Sequence, residues 1–239
     1  MKAERFFYMK FILLSGILLI SAAVIGNVVN QRNAGVFAAA DRNDMCIIVD
    51  PGHGGEDGGC VSADGILEKK LNLEVSYKVS EILKAMGYNT VMTRTEDKML
   101  YDMYGDDKII KKKTYDLKNR LKFARENDAD LFVSIHMNKF PESQYKGLQV
   151  YYSPNNSESG NAAELIQHYT REYLQKDNER QTKKADKSIY LLDRIDMPGV
   201  LVECGFLSNP EDTKMLCDED YQRKLSFVIA CAVVEYFES

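Results

Sequence analysis

No two of the five cysteines, Cys46, Cys60, Cys204, Cys217 and Cys231, are spaced C-x-x-C, which excludes a structural zinc knuckle and a dense disulfide framework. Cys46 and Cys231 lie in apolar stretches and read as small buried hydrophobes. Neither phosphate-cradle signature, G-x-G-x-x-G or G-x-x-x-x-G-K-[ST], occurs. Positive charge is short as well: 31 Lys and Arg stand against 36 Asp and Glu, a formal net charge of −5. Residues 1–29 hold Lys2, Arg5 and Lys10 against Glu4, so the rest of the chain stands near −7. Phosphate contact needs clustered Lys and Arg, and a mildly acidic chain is a poor nucleic-acid binder. The one basic run, Lys111-Lys112-Lys113, reads as a solvated loop or helix face. There is no internal repeat and no low-complexity tract. Histidine is scarce, three in 239 residues, so the place of each carries information.

What is present starts with an apolar run. Phe11 to Val29 is 19 residues without charge, behind Lys2, Arg5 and Lys10. A basic flank before such a run is the pattern of a signal peptide or uncleaved signal anchor, and ~20 apolar residues span a bilayer. Ala38-Ala39-Ala40 resembles a small-residue cleavage site, but it lies farther past the run than signal peptidase usually reaches. The expectation is a signal/anchor segment over 1–29, an anchor in preference to a cleaved signal, and a polar linker over 30–44. The domain over 45–239 has room for one well-filled core and is expected outside the cytoplasm, membrane-anchored or secreted.

Along 45–239 the periodicity alternates between strand and helix. Met45 to Asp50, Asn89 to Thr93, Leu131 to Ile135, Gly147 to Tyr152, Ile189 to Leu192 and Val200 to Val202 read as strands. Helical stripes run through Leu71, Val75, Val79, Ile82 and Met86, closed by Gly87, and through Leu117, Leu121 and Ala124. Two more follow at Ala162, Leu165, Ile166, Tyr169 and Tyr173, and at Leu225, Val228, Ile229, Ala232, Val233 and Tyr236. Asp97 to Lys113 reads as a charged surface excursion, and Gln175 to Asp186 as a mobile polar connection. This order predicts an α/β fold: a single domain whose twisted, mostly parallel sheet is flanked by helices on both faces.

Three of the apolar runs end in chemically able residues. Ile47-Ile48-Val49 leads into Asp50-Pro51-Gly52-His53, Leu131 to Ile135 stops at His136, and Val200-Leu201-Val202 stops at Glu203. Chemistry in open α/β sheets gathers beyond the carboxyl ends of the strands, so neighbouring parallel strands would bring these residues to one rim. The glycines around His53 can let backbone pass close to a metal or substrate. Hydrolytic zinc sites take three His, Asp or Glu ligands. His53 and His136 supply two; Glu68, at the start of the following helix, is the favoured third, with Asp50, Glu56, Asp57 and Asp64 as rivals. An unpaired carboxylate after an apolar strand is costly, so Glu203 either pairs with a cation or serves as general base and then general acid. Cys204 as a nucleophile is the rival, weakened because adjacent strand residues face opposite ways. His168, four residues after Glu164, lacks a third ligand and reads as an exposed helix face. Arg94 and Arg120 are candidates to bind a substrate carboxylate, although structural ion pairing accounts for each alone. Asn138, two residues past His136, is a further candidate substrate contact.

Together these segments resemble the zinc-dependent N-acetylmuramoyl-L-alanine amidases of bacterial cell walls. The carrying blocks are I-I-V-D-P-G-H-G-G, L-E-K-K-L-N-L, T-R-T-E-D, A-D-L-F-V-S-I-H-M-N and V-L-V-E-C-G-F-L-S-N-P-E, in that order from about Cys46 onward. The resemblance implies one Zn2+ on His53, Glu68 and His136, with Glu203 as acid/base, and selects Glu68 over its acidic neighbours. It implies hydrolysis of the amide between the lactyl group of N-acetylmuramic acid and L-alanine in peptidoglycan. Size and layout look most like the germination-specific members, in which peptide removal prepares muramic acid for conversion to the δ-lactam of spore cortex; the implied location is the bacterial cell envelope or the forespore compartment. A vegetative cell-separation amidase, a zinc peptidase cutting within the stem peptide and an inactive wall-binding scaffold are the alternatives. No wall-binding repeat is recognisable, so targeting is expected from the membrane segment, the substrate or a partner protein.

Overall fold

The computed structural model of the chain describes residues 42–103 and 109–239, so the expected signal/anchor segment and nearly all of the linker lie outside the described residues. Asp44–Ser239 cluster as one compact unit. Among the described residues no helix is long and apolar enough to cross a membrane. The strands are β1 (Cys46–Pro51), β2 (Asn89–Met92), β3 (Leu131–Asn138), β4 (Gln149–Tyr152), β5 (Lys183–Lys184) and β6 (Gly199–Phe206). The helices are α1 (Glu68–Ala85), α2 (Ile109–Glu126), α3 (Glu158–Tyr173), α4 (Pro210–Leu216) and α5 (Glu219–Glu238).

The strands form one sheet in the order β2-β1-β3-β6-β4-β5. Only the β4–β6 pairing is antiparallel; the other four are parallel. β1, β3 and β6 are near-continuous apolar runs because both their faces are covered. Parity divides those faces. Ile47, Val49, Val133, Ile135, Val200, Val202 and Cys204 pack with the apolar stripes of α1, α3 and α5. Residues of the other parity, Cys46, Ile48, Phe132 and Leu201, meet Leu121 and Ala124 of α2 together with Leu191, Leu192 and Ile195. Helices therefore flank both faces. The strand that leads into His53 and the two that carry His136 and Glu203 are adjacent and parallel, with His136 the Cα partner of Glu203.

Several local expectations change. Ile189 to Leu192 is a turn, not a strand; Leu191 and Leu192 are buried against the second face of the sheet. A four-residue apolar run has no periodicity to separate the two. Helix α2 begins at Ile109, within the expected excursion, and a 3-10 turn over Leu100–Met103 precedes it. The expected mobile connection is tied down: Arg171 donates from Nε to the Asn178 carbonyl and from Nη2 to the Arg180 carbonyl, and Lys183–Lys184 pair with β4. Helix α4 was not anticipated. Its signals are nonetheless plain: Asn209 accepts from the Glu211 and Asp212 amides, and Pro210 occupies the first turn.

Candidate metal centre

Continuing the second-face parity toward the carboxyl ends of the strands replaces apolar side chains by Asp50, Ser134, His136 and Glu203. The loop after β1 is drawn over this rim. The Gly52 amide donates to the Ile135 carbonyl at 3.0 Å, extending the ladder by one residue across the His136 ring. Only glycine fits there, since a Cβ on Gly52 would lie 2.2 Å from His136 ring atoms. His53 follows with φ +60°, a left-handed conformation that costs a non-glycine residue on the order of 1–3 kcal/mol.

Two buried arginines hold that conformation. Arg94 donates from Nε to the Pro51 carbonyl and from Nη2 to the carbonyls of Gly52 and Lys69. Arg120 donates to the Pro51 carbonyl from Nη1 and to the His53 carbonyl from Nη2. It also pairs with Asp50 at 2.5 Å and with Asp116 at 2.8 Å. Both side chains are 1% exposed. Structural pairing, the reading that accounts for each arginine alone, describes the contacts of both, which brace the backbone around His53.

Glu68 opens α1, where its charge meets the positive end of the helix dipole. Its carboxylate accepts from the Cys60 amide at 2.8 Å, the Met137 amide at 3.1 Å and Asn72 Nδ2 at 3.2 Å. Its Oε1 lies 3.0 Å from His136 Nδ1 and 3.3 Å from His53 Nε2. Burial opposes ionisation of Glu68, but the bonds to His136 and His53 outweigh it and hold the carboxyl well below the usual carboxylate range. One potential ligand atom from each of His53, Glu68 and His136 lies within 4.8 Å of the others. The rivals are elsewhere: Asp50 is sequestered by Thr93, Ser134 and Arg120, and Glu56 and Asp64 are exposed. His168 is on an exposed helix face, as expected.

Asp57 has a different part. Its Oδ2 lies 2.9 Å from His53 Nδ1, which leaves Nε2 facing the cluster, and its Oδ1 meets Lys113 Nζ at 2.8 Å. Sequence reading weighed Asp57 only as a ligand; its place four residues after His53 in a tight glycine loop was the available signal. A carboxylate behind a ligating histidine orients the ring and raises its basicity. Asp57→Ala is expected to weaken metal affinity by about 10–100-fold, measured by competition with a chelating dye.

Glu203 faces the cluster from β6, and Cys204, 1% exposed, faces the core. Burial and the charge of Glu203 push the Cys204 thiol well above its ordinary value, which leaves no thiolate for nucleophilic chemistry. Burial, reinforced by Glu68, pushes the Glu203 carboxyl up to about 8. Its Oε2 is buried without a hydrogen-bond partner among the described residues. A His-His-Glu donor set is that of a hydrolytic zinc site. The orphaned Glu203 oxygen beside it is the acceptor that proton transfer needs, so the residues fit an ion with an attacking water. Asn138, two residues past His136 on β3, lines a recess with Phe140, Gln149 and Tyr151 that none of the three converging residues lines.

Comparison with known proteins agrees with this geometry. Residues 47–235 match the family described as N-acetylmuramoyl-L-alanine amidase (Amidase_3). The germination-specific N-acetylmuramoyl-L-alanine amidase of Bacillus subtilis is 37% identical over 193 residues, 80% of this chain and 79% of that protein. The CwlD amidase of Clostridioides difficile, solved in complex with the GerS lipoprotein, is 36% identical, with a TM-score of 0.78 over 82% of this chain and 99% of that one. The amidase AmiC2 of Nostoc punctiforme is 29% identical, with a TM-score of 0.69 over 82% and 98%. Fold and sequence agree: this chain belongs to the N-acetylmuramoyl-L-alanine amidase family and is a peptidoglycan amidase.

Proposed function

We propose that the chain uses one zinc ion, held by His53, Glu68 and His136, to hydrolyse the bond between the muramic lactyl group and L-alanine. The observation that carries this reading is the convergence of those three ligand atoms beside an unpartnered Glu203 oxygen on the adjoining strand. Zinc in such a site supplies a Lewis acid for the amide carbonyl and makes water more acidic. Glu203 takes the proton of the attacking water and passes it to the alanine nitrogen as the C–N bond breaks. The products are a free lactyl carboxylate and a free α-amine. A side chain whose pKa lies near neutrality suits both the taking and the giving. Asp57, Arg94 and Arg120 hold His53 in position throughout.

The setting we propose is the spore cortex, where peptide removal would leave muramic acid ready for δ-lactam formation. The germination-specific relative supports it, as does the resemblance in layout. Phe11 to Val29 would hold the enzyme to the membrane on the extracytoplasmic side. A protein partner that targets or activates it is part of the proposal, supported by the CwlD relative's complex with a lipoprotein.

Digestion of purified muropeptides, with the new ends identified by mass, tests the reaction. A free alanine amine is expected; cuts only within the stem peptide would mean a peptidase instead. His136→Ala is expected to take bound zinc from about one ion per chain to near none, measured by elemental analysis. Unchanged zinc content would remove His136 from the ligand set.

A further inference from the structure

On the sheet face that carries His136 and Glu203, β4 contributes Gln149, the Cα partner of Glu203, and Tyr151 two residues on. The segment after α3 returns to this edge and places Arg180 over it. The Arg180 guanidinium lies 4.5 Å from the Phe206 ring centroid and 5.9 Å from that of Tyr145. Its Nε donates to the Lys146 carbonyl at 2.8 Å, and its Nη1 to Gln149 Oε1 at 3.1 Å. Those contacts fix the plane of the fork, while Nη2 has no acceptor among the described residues. Lys183 adds a second cation, its Nζ 6.0 Å from the Tyr151 ring centroid. Both line a recess of about 300 Å³ that also takes in Asn138, Gln149 and Tyr151. No acidic residue lines it, in a chain whose net charge is −5.

A guanidinium braced on aromatic rings, with its outer edge unspent, is a receptor for a planar oxyanion. The substrate narrows which one. On the glycan side the sugars are N-acetylated and the lactyl carboxyl is consumed in the scissile amide, so that side offers no charge. The stem peptide carries free carboxylates. Gln149 bridges the two positions: it sits opposite Glu203 on the neighbouring strand and is hydrogen-bonded to Arg180.

We propose that Arg180, assisted by Lys183, binds the stem-peptide carboxylate nearest the scissile amide, and so makes the enzyme prefer acidic stems to amidated ones. The inference rests on the amidase reading above and deepens it. The binding edge is assembled late in the chain: Arg180 and Lys183 lie in the segment between α3 and β6, remote in sequence from the ligand loop. Specificity and metal binding therefore reside on separate pieces of backbone, and one can change without the other.

The test uses two synthetic muramoyl peptides that differ only in that carboxylate, free in one and a primary amide in the other, with the zinc-loaded whole chain. The unaltered protein should show a KM about 10-fold lower for the acid than for the amide, the scale of one hydrogen bond to a charged group. Arg180→Met should collapse the ratio of the two KM values to near one, and Arg180→Lys should restore part of it. Lys183→Gln should lower the ratio by a smaller factor. Equal KM values for the unaltered protein, or a ratio untouched in Arg180→Met, overturn the inference and leave the amidase reading standing. If the unaltered protein cleaves neither peptide at the muramoyl–alanine bond, the amidase reading falls and takes the inference with it. The comparison of substrates on the unaltered protein decides the matter even where a variant fails to fold.

Discussion

Glu203→Gln is expected to lower kcat/KM for muropeptide hydrolysis by about 10²–10⁴-fold, the range that general acid–base catalysis contributes. Bound zinc should be unchanged, because the three converging ligand atoms belong to His53, Glu68 and His136. Glutamine keeps the shape of the side chain and loses its capacity to accept a proton from water. The substitution should also be structurally mild: Glu203 has an oxygen with no partner, so no hydrogen bond is broken at that atom. Kinetics and elemental analysis on the same preparation separate the two effects. Full hydrolytic activity in the glutamine variant would falsify the proton-shuttle role.

The largest effect on stability is expected at Arg120. Its guanidinium is buried and donates to Asp50, Asp116 and the carbonyls of Pro51 and His53. Arg120→Met strands the Asp50 carboxylate, which is fully buried, and removing one partner of a buried pair costs about 3–5 kcal/mol. The melting temperature should fall by roughly 10 °C, at about 2–4 °C per kcal/mol for a domain of this size. Asp50→Asn on the Arg120→Met background should recover part of the loss, since no charge is then left unpaired. The dependence on pH has a definite sign. Burial raises the Asp50 pKa, but Arg120 and the hydroxyls of Thr93 and Ser134 bring it below the ordinary carboxylate value. In the unaltered protein, Asp50 therefore stabilises above about pH 4 and loses that contribution as the pH falls through its folded pKa. Without the cation, burial governs Asp50 and raises its pKa, so the deficit of Arg120→Met should be larger at pH 7 than at pH 5. A deficit that grows on acidification would contradict this account. Because Arg120 also holds the His53 carbonyl, the variant should retain less zinc at equal total metal.

Much of this was legible in the sequence, and the limits have physical causes. The positions of His136 and Glu203 were readable because strands buried on both faces are near-continuous apolar runs, in which one polar, chemically able residue stands out. His53 was readable from the same rule, one loop residue farther on. Glu68 was harder. It sits at a helix start 15 residues after His53, and the intervening loop has no periodicity from which its path could be derived; the residues favoured it among four acidic rivals, and the resemblance of the L-E-K-K-L-N-L block made the choice firm. The roles of Arg94 and Arg120 were hidden because they are tertiary. Each arginine reaches back more than 40 residues to carbonyls of one short loop, and no local pattern records such a contact. The turn around Leu191 was missed for the opposite reason, since its apolarity is real but satisfied by packing against a sheet face without joining the ladder.

The parity that places Glu203 in the cleft and Cys204 in the core makes β6 intolerant of changes in length. Shifting a strand by one residue turns every side chain to the other face. Deleting a single residue from Val200-Leu201-Val202 would present the thiol to the substrate and bury the carboxylate among Val133, Ile135 and Val150. Exchange of one aliphatic side chain for another along this strand alters packing by degrees. An insertion or deletion would remove the proton shuttle and break the core in one event.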